Sequence, residues 1–430
     1  MDVRLQKRYL RLVMQHMNAA TRLAAGIRSL PGVGDSFAAT QAAWRFFSNS
    51  RVSLPALAEP LRELGCRAVG QSRSDYALLV HDWSKIDFDG HASKTDQLQL
   101  SNSLDRGYEL VTALLVDAST GSPLAPMEVG LLASGGLHST RSGRPLRSLP
   151  HLAQLLPTMQ ASRRWNIRQR LVHVIDREAD SVHHFRQWDQ EAHLFLVRGD
   201  NRRMEHQGRS LLTSEIVEIL QEQGVFQVTR DVEVRGQQGR LSIAQTRVVL
   251  SGPAWHRGGS RGKRRREYGA PLALRLVVAQ VRGRDNHLLA QWWLLTNVPD
   301  DVPGSEIALW YYWRWRIESF HKLLKSAGLQ LESWQQESAA AVVRRLLVAC
   351  MACVVAWQLE AQTTPAARSC QTFVVRLSGR QMKRARPVTT PALLAGLHML
   401  LVMLQVLDEY TPDQIRRIAA PILPELQRSG

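Results

Sequence analysis

The amino-acid sequence predicts an α/β protein with helical segments at both ends of the chain. Two short apolar runs, 77–80 and 171–175, are typical of strands that are buried on both faces of a sheet. A third stretch, 225–235, alternates apolar and polar residues, which is the pattern of a strand with one exposed face. Residues 1–60 and the chain from about 361 onward have helical patterns interrupted by prolines.

The elements of the first half follow one another in a definite order. Residues 1–60 are predicted to be helical, with a break between helices at Pro31–Asp35. A basic, helical segment is expected at 152–170. Strands are expected at about 76–82, 108–116, 124–131, 171–175 and 193–198.

The stretch 199–286 differs in character from the chain on either side. Two alternating runs, 225–235 and 241–250, are joined at Gly236–Gly239 and predict an antiparallel hairpin. A basic, glycine-rich loop follows, and then another apolar run at 272–281. We therefore expect a β-rich unit between two parts that contain helices.

The balance of charged residues favours a polyanionic partner. The chain has 430 residues, a formal net charge of +17 and a pI of about 10.5. Its hydrophobic fraction of 44% excludes a disordered chain. Such an excess of positive charge is typical of a protein that binds nucleic acid. The basic clusters are Arg4, Lys7, Arg8 and Arg11; Arg257, Arg261, Lys263, Arg264, Arg265 and Arg266; and Arg376, Arg380, Lys383, Arg384 and Arg386.

Cysteines and apolar runs indicate a reducing compartment and no membrane. Cys350 and Cys353 have the C-x-x-C spacing, but they lie in the apolar run 346–357, and no second pair completes a zinc site, so we expect core thiols. That run and the run 393–407 are shorter than the roughly 20 residues of a membrane span. The first helix is basic rather than a signal peptide. A cytoplasmic location is therefore expected.

The segment 311–325 combines acidic, cationic and aromatic side chains. In a helix, with about 100° of rotation per residue, Tyr311, Arg314, Glu318 and Lys325 fall within about 60° of one another. A carboxylate suits a metal ion, and two cations suit phosphate oxygens. The alternative is a solvated face with ion pairs between residues four apart. Neighbouring tryptophans favour a helix packed on most sides, and on these residues alone both interpretations remain open.

The spacing Tyr-x2-Arg-x3-Glu-x6-Lys resembles the signature of DDE transposases of bacterial insertion sequences, the cut-and-paste group that forms DNA hairpins. The stretch Asp176–Asp180, Asp-Arg-Glu-Ala-Asp, is similar to the second aspartate motif of that group. Asp82 resembles the first catalytic aspartate, although Trp83 stands where the group often has a hydroxyl residue. Asp87 and Asp89 are the alternatives. Taken singly, a strand-end aspartate is more often a cap for the following turn.

The resemblance implies a ribonuclease-H-like catalytic core that a β-rich insertion interrupts. Helical domains then flank the core on both sides. The implied parts are an N-terminal DNA-end-binding domain at 1–60, the first part of the core at 61–198, the insertion at 199–286, the second part of the core with the glutamate helix at 287–360, and a C-terminal dimerisation region at 361–430.

The resemblance also implies a metal-dependent reaction on DNA. Asp82, Asp176 and Glu318 would hold two Mg²⁺ ions, for which Mn²⁺ can substitute. The implied partners are double-stranded DNA, as transposon terminal inverted repeats and as target, and a second copy of the chain on paired DNA ends. Two other functions remain open, a DNA-binding regulator without catalysis and a metal-dependent nuclease.

The remaining implied roles are contacts with DNA and with the second copy. Trp292 would receive a base flipped from the DNA end, with adjacent Trp293 as the alternative, and Arg198 would add a contact. The leucine stripe at 393–407 would form the dimer interface or pack on the catalytic domain. The other implied DNA contacts are Tyr311, Arg314, Lys325, Arg4, Lys7, Arg8, Lys263, Arg264 and Arg265.

Overall fold

A mixed sheet of 13 strands runs through the protein, with helices against it, so the expectation of a mixed α/β fold is confirmed. The computed structural model describes residues 2–16, 36–102, 104–234, 236–257, 264–383 and 388–421. The helix break expected at Pro31–Asp35 lies outside these residues.

Not all of the strands coincide with the apolar and alternating runs of the sequence, because the long strands do, whereas short ones such as Arg264–Glu267, within the expected basic loop, were not predicted. They are β1 (Tyr76–Asp87), β2 (Leu98–Gln99), β3 (Arg106–Asp117), β4 (Pro123–Ala133), β5 (Gly136–Ser139), β6 (Arg170–Ile175), β7 (Leu194–Arg198), β8 (Arg203–His206), β9 (Arg209–Leu212), β10 (Gln227–Val234), β11 (Gln237–Leu250), β12 (Ala254–Arg257), β13 (Arg264–Glu267), β14 (Leu272–Arg282) and β15 (Leu288–Thr296).

The helices pack on the sheet and on one another. Several begin at a side-chain cap, such as Ser53 before α3 and Ser338 before α9, whose hydroxyls accept backbone N–H groups. They are α1 (Val3–His16), α2 (Ser36–Ser48), α3 (Leu54–Val69), α4 (His151–Ser162), α5 (Val182–Gln190), α6 (Thr213–Glu222), α7 (Gly304–Tyr312), α8 (Trp315–Lys322), α9 (Ala339–Ala361), α10 (Pro365–Leu377), α11 (Thr390–Glu409) and α12 (Pro412–Ala419).

The order of strands joins the two halves of the chain in one sheet. It is β5-β4-β3-β1-β6-β7-β15-β14-β11-β8-β9, with β2 paired to β3 and β10 paired to β11. β1, β6 and β7 are parallel, whereas β3 and β15 run antiparallel to their neighbours in this group. The expected hairpin is confirmed as β10 and β11. The strands of the stretch 199–286 therefore continue the sheet of the preceding part through β15, except β12 and β13, which pair with each other in a separate two-stranded sheet.

Helix α9 lies in the main hydrophobic core. Cys350 and Cys353 are fully buried there as free thiols, which confirms that they are core residues. Arg344 is also buried, and it donates hydrogen bonds to the carbonyl oxygens of Val52 at 2.8 Å and Phe47 at 3.0 Å. These bonds satisfy a buried cation and fasten the N-terminal helices to α9.

The expectation that no helix is long enough to span a membrane is wrong. By length and composition, α9 with 23 residues and α11 with 20 residues both pass that test. Both helices are longer than the apolar runs inside them, since each helix begins and ends at a capping residue outside its run. The apolar window of α9 is 89% buried inside the protein, which is typical of a core helix, whereas that of α11 is 28% buried.

Candidate active site

Two neighbouring parallel strands place the candidate aspartates side by side. β1 pairs with β6 as far as Val80 opposite Val174, and Asp82 and Asp176 each lie two residues further along. Polar ligands of such sheets bind at this carboxyl end. The expectation that the first strand ends at Asp82 is wrong, because β1 continues to Asp87, paired with β3. Since β6 stops one residue before Asp176, Asp82 still lies where the sheet opens.

Backbone N–H groups orient both aspartates. Trp83 donates to Oδ1 of Asp82 at 2.9 Å, and Glu178 donates to Oδ1 of Asp176 at 2.9 Å. Asp176 thereby caps the short turn Arg177–Ala179, as a strand-end aspartate often does. Each cap uses one carboxylate oxygen. Oδ2 of Asp82 faces Arg314 in the segment 311–325, which is called the signature segment below because it carries the Tyr-x2-Arg-x3-Glu-x6-Lys spacing.

Arg314 joins the first aspartate to the glutamate of the signature. Its Nη1 lies 3.6 Å from Oδ2 of Asp82, and its Nη2 donates a hydrogen bond to Oε1 of Glu318. The Arg314 side chain is only 10% exposed, whereas the Glu318 side chain is 38% exposed, so the bridge reaches from the interior to the surface. Two of the candidate catalytic acids therefore meet at one guanidinium group.

A buried hydrogen bond fastens α8 to the sheet beside these acids. Oγ1 of Thr112 lies 2.7 Å from Nε2 of His321, and Thr112 is the β3 partner of Asp82. Burial lowers the pKa of His321 to about 3, so this imidazole is neutral at physiological pH. The contact sets the distance between the helix that carries Glu318 and the strand that carries Asp82.

Burial and neighbouring negative charges disfavour the ionised form of Asp82. Burial raises the pKa of Asp82 to about 6, with additional upward contributions from the charges of Asp176 and Glu318 and an opposing one from Arg314. Arg314 joins Asp82 to Glu318, and Asp176 directly follows the strand next to β1, so all three acids lie in one region of the protein. A second cation would stabilise the ionised form of Asp82.

The donor set fits Mg²⁺ in its chemistry. Asp82, Asp176 and Glu318 offer the hard oxygen ligands that Mg²⁺ prefers. In the arrangement present, no group of three or more His, Cys, Asp or Glu side chains among the described residues is close enough to hold a metal ion. Arg314 pairs with Asp82 and Glu318 instead, and therefore occupies the position between them.

The signature segment is not one continuous helix, so that expectation is wrong. α7 ends at Tyr312, α8 begins at Trp315, and a π-helical turn at Leu323–Ala327 follows it. Around the break, backbone N–H groups bond to the carbonyl three residues earlier rather than four. The indole of Trp313 packs directly against Gly121 in the turn between β3 and β4, which fixes the chain at this point.

Tyr311 and Trp292 lie together on one side of the sheet. Their ring centroids are 5.9 Å apart, and the guanidinium of Arg314 lies 5.9 Å from the tyrosine ring. Both aromatic side chains are buried. Trp293 packs on the opposite side of the sheet, against a hydrophobic cluster that is separate from the main core. Trp292 is thus the tryptophan that contacts the signature segment, as a part of the core.

Lys325 and Arg198 approach the site from different elements. Lys325 donates a hydrogen bond to the carbonyl oxygen of Lys85 in β1, and its Nζ lies 3.4 Å from Oε1 of Glu332. Arg198 ends β7 and is half-buried. Burial raises the pKa of Tyr311, and the positive charge of Arg198 opposes that rise, which places Arg198 near the phenol. Arg198 therefore lies near Tyr311, whereas the contacts of Lys325 are with β1 and with Glu332.

The other expected DNA contacts lie away from the carboxylates or outside the described residues. Arg4 and Lys7 are exposed on α1, and Arg8 is half-buried. Lys263 lies outside the described residues, as do the side chains of Arg264 and Arg265, whose backbone belongs to β13.

The alternative aspartates are engaged in a separate turn. The backbone N–H of Asp87 bonds to Oε1 of Glu332 at 3.3 Å, and its carboxylate accepts the N–H of Asp89 at 2.9 Å. Asp89 in turn accepts the backbone N–H of Arg106. Of the three, Asp82 is the one with an ion pair to Arg314.

His151 is a site neighbour that sequence reasoning missed. It is the first residue of α4, and its ring stacks on Trp83 at 4.6 Å with an interplanar angle of 7°. Its Nε2 lies 2.9 Å from Oε2 of Glu109, and its Nδ1 lies 2.6 Å from Oε1 of Glu178. The hydrogen bond to Glu109 is the main cause that raises the pKa of His151 to about 9. Local sequence patterns do not predict these contacts of His151, because the residues involved come from four separate segments of the chain.

No protein-family model and no curated protein matches this sequence. Among solved structures, the chain is similar to piggyBac transposase in a cryo-EM structure of its synaptic complex with hairpin DNA. The two chains are 10% identical, with a TM-score of 0.40 over 99% of this chain and 76% of that one. A likeness this distant assigns no activity, so the residues of the site carry the functional argument.

Proposed function

We propose that the protein is a DNA transposase that cuts transposon ends through a hairpin intermediate and joins the freed 3′-hydroxyl groups to target DNA. The observation that carries the proposal is the meeting of Asp82 and Glu318 at Arg314, with Asp176 directly after the parallel strand next to β1, in a chain of net charge +17. Acidic ligands for metal ions beside buried cations for phosphate suit phosphodiester chemistry.

The arrangement of strands supports the proposed ribonuclease-H-like core. β1, β6 and β7 are parallel, and β3 and β4 extend the sheet in antiparallel fashion beside β1. Two acids at the carboxyl end of adjacent parallel strands and a third acid on a later helix can reach the same phosphate. On this proposal the boundaries at 60, 198, 286 and 360 delimit the core and its flanking parts.

Asp82, Asp176 and Glu318 are the residues that would hold Mg²⁺ or Mn²⁺. Bound divalent ions lower the pKa of a water or a 3′-hydroxyl and stabilise the oxygen that leaves. Arg314 and Lys325 bind phosphate oxygens, and Tyr311 supports Arg314 from the core. Arg314 exchanges its pairing with Glu318 for a phosphate when DNA enters.

The proposed reaction uses one site for successive transfers. Water attacks a phosphorus at the transposon end, and the P–O3′ bond breaks to free a 3′-hydroxyl. That hydroxyl attacks a phosphorus of the opposite strand and closes a hairpin, and the P–O3′ bond to the flanking DNA breaks to release that DNA as a 3′-hydroxyl end. A second water attacks the hairpin phosphorus and breaks the new P–O3′ bond. The regenerated 3′-hydroxyl then attacks a target phosphorus and releases a target 3′-oxygen. The cations around the carboxylates stabilise the crowded phosphates of the hairpin.

The proposed active species is a homodimer on paired DNA ends, in the bacterial cytoplasm and apart from membranes. In α11 the leucine stripe divides, because Leu393 and Leu394 are fully buried whereas Leu404 and Leu407 are about half exposed. The exposed end of α11 supports a role of this face in pairing. The buried end packs within its own chain.

Incubation with labelled DNA that carries the sequences flanking the gene, in the presence of Mg²⁺, tests the proposal. Hairpin and strand-transfer products are the expected result, and Asp176→Asn is the control that should bind DNA without cutting it. Binding alone would indicate a regulator, and nicking without transfer would indicate a nuclease. Either result would contradict transposition.

A further inference from the structure

The two residues that His151 contacts beside the site are also those that orient the aspartates. Trp83 stacks on the His151 ring and donates its backbone N–H to Oδ1 of Asp82. Glu178 pairs with Nδ1 of His151 and donates its backbone N–H to Oδ1 of Asp176. One imidazole ring is therefore linked, through one intervening residue on each side, to both strand-borne carboxylates.

The ring is well suited to hold these two residues together. Both of its nitrogens face carboxylates, Glu109 at 2.9 Å and Glu178 at 2.6 Å, and its flat face covers an indole. An imidazolium ion donates from both nitrogens, which a neutral ring cannot do. The pKa of about 9 keeps this ring cationic at neutral pH. The contacts restrain the backbone after each aspartate and, with it, the direction of each Oδ1 hydrogen bond.

We propose that His151 is a positioning residue that fixes the orientation of Asp82 and Asp176 for divalent metal ions. The inference rests on the proposed function for the presence of those ions. His151 touches no reacting atom, and it acts through Trp83 and Glu178. Partners that orient metal ligands typically contribute about 10–100-fold to metal affinity.

The sign of the effect separates positioning from simple electrostatics. Removing a cation near three carboxylates strengthens their attraction for Mn²⁺, because less positive charge remains nearby. Loss of orientation weakens the same binding. Weaker Mn²⁺ binding after the removal of the His151 charge therefore reports the loss of orientation.

Mn²⁺ binding to the full-length, DNA-free protein, measured by electron paramagnetic resonance of the free ion, tests the inference. His151→Phe keeps a flat ring on Trp83 but cannot pair with the carboxylates, and we expect about 10-fold weaker binding. His151→Arg keeps a planar cation that stacks and binds carboxylates, and we expect it to restore affinity. His287→Phe, at an exposed histidine that pairs with Asp285, is the matched control and should bind as the wild type does.

Asp176→Asn distinguishes failure of the inference from failure of the proposed metal site. If Asp176→Asn binds Mn²⁺ with wild-type affinity, the metal site itself is wrong, and the role of His151 falls with it. If Asp176→Asn loses binding while His151→Phe does not, the positioning role alone is overturned. Failure of a folded His151→Arg variant to restore affinity also overturns it.

A second variant covers the case in which His151→Phe does not fold, as judged by circular dichroism. Glu109→Gln leaves the ring, its stack on Trp83 and its pair with Glu178 in place, but removes one of the two carboxylates that fix it. Weaker Mn²⁺ binding by Glu109→Gln supports the inference, and unchanged affinity overturns it.

Discussion

The two halves of the candidate site are held in place in different ways. Asp82 lies in β1, Asp176 directly follows the parallel strand β6, and sheet hydrogen bonds as far as Val80 and Val174 fix their spacing. Glu318 belongs to α8, which lies between a break in the helix and a π-helical turn, and whose His321 bonds to Thr112. The strand half is thus held by backbone hydrogen bonds of the sheet, whereas the helix half is held by side-chain contacts between irregular turns. Irregular helical turns of this kind often occur at functional sites.

The difference assigns different tasks to the two halves. On the proposed function, the strand half would provide a constant position for metal ions. The helix half, with Glu318 on α8 and Arg314 directly before it, would change its pairing as phosphates of different geometry enter. The comparison predicts that changes in the strand half stop all chemistry, and that changes to the helix-borne cations affect particular steps.

The largest effect is expected from the acids. Asp82→Asn and Asp176→Asn should each lower Mg²⁺-dependent DNA cleavage by on the order of 10³-fold or more, because each change removes a charged ligand at almost constant shape. Binding of end DNA, measured by gel shift, should persist. Glu318→Gln should match them in a gel assay of cleavage products. Near-normal cleavage by Glu318→Gln would break the comparison, since the helix half would then supply no ligand.

A smaller and more selective effect is expected from the cations of the helix half. Arg314→Ala and Lys325→Ala should slow hairpin formation by about 10²-fold, and first-strand nicking by less, because a sharply bent strand crowds its phosphates. Time courses on sequencing gels resolve the two products. Lys322→Ala, at an exposed lysine of α8, is the matched control. Equal slowing of both steps would show that the two halves act together throughout.

The hydrogen bond between Thr112 and His321, which links the two halves of the site, should contribute to the stability of the fold. Thr112→Val preserves the shape of the side chain but leaves His321 without its hydroxyl partner, and we expect a loss of about 1–3 kcal/mol in the free energy of unfolding. Urea denaturation followed by circular dichroism measures it. The control is Thr158→Val, at a buried threonine whose hydroxyl bonds to the carbonyl oxygen of Gln154 in its own helix. An equal loss of unfolding free energy in both variants would show that the bond between Thr112 and His321 contributes no more than an ordinary buried threonine bond.

The smallest effect concerns pH. The pKa of His151 is about 9 in the folded protein, above its ordinary value of about 6.5 in an unfolded chain. Its contribution to stability is therefore complete below pH 6.5 and disappears as the pH rises through 9. The fall in melting temperature between pH 7 and 10 should be smaller in His151→Phe than in the wild type. Parallel pH profiles would show that His151 contributes no such linkage.

Local patterns were sufficient to predict the strand half. The apolar runs before Asp82 and Asp176 need only a buried strand, and the structure places both residues where β1 and β6 separate. The length of β1 was not predictable from its own residues, since its last part is ordered by pairing with β3. The domain boundaries remain predictions, although the strands after 199 extend the same sheet.

The helix half shows why the rest could not be predicted. A helical pattern places Arg314 and Glu318 four residues apart on one face, and they do meet. The break before α8 depends on the packing of Trp313 against Gly121, which is distant in sequence. His151 likewise owes its role to residues on separate segments. Contacts of this kind follow from the assembled sheet, whereas periodicity reports only the local chain.

The parallel register of β1 and β6 also restricts how this sequence can vary. Side chains alternate across a strand, so the deletion of one residue between Tyr76 and Asp82 would turn the carboxylate away from the site. With the same strand start, Trp83 would then take the position of Asp82. Related sequences should therefore tolerate insertions and deletions in the turns around β1 and β6, but not within these two strands. An alignment of related sequences would show this constraint as columns without gaps.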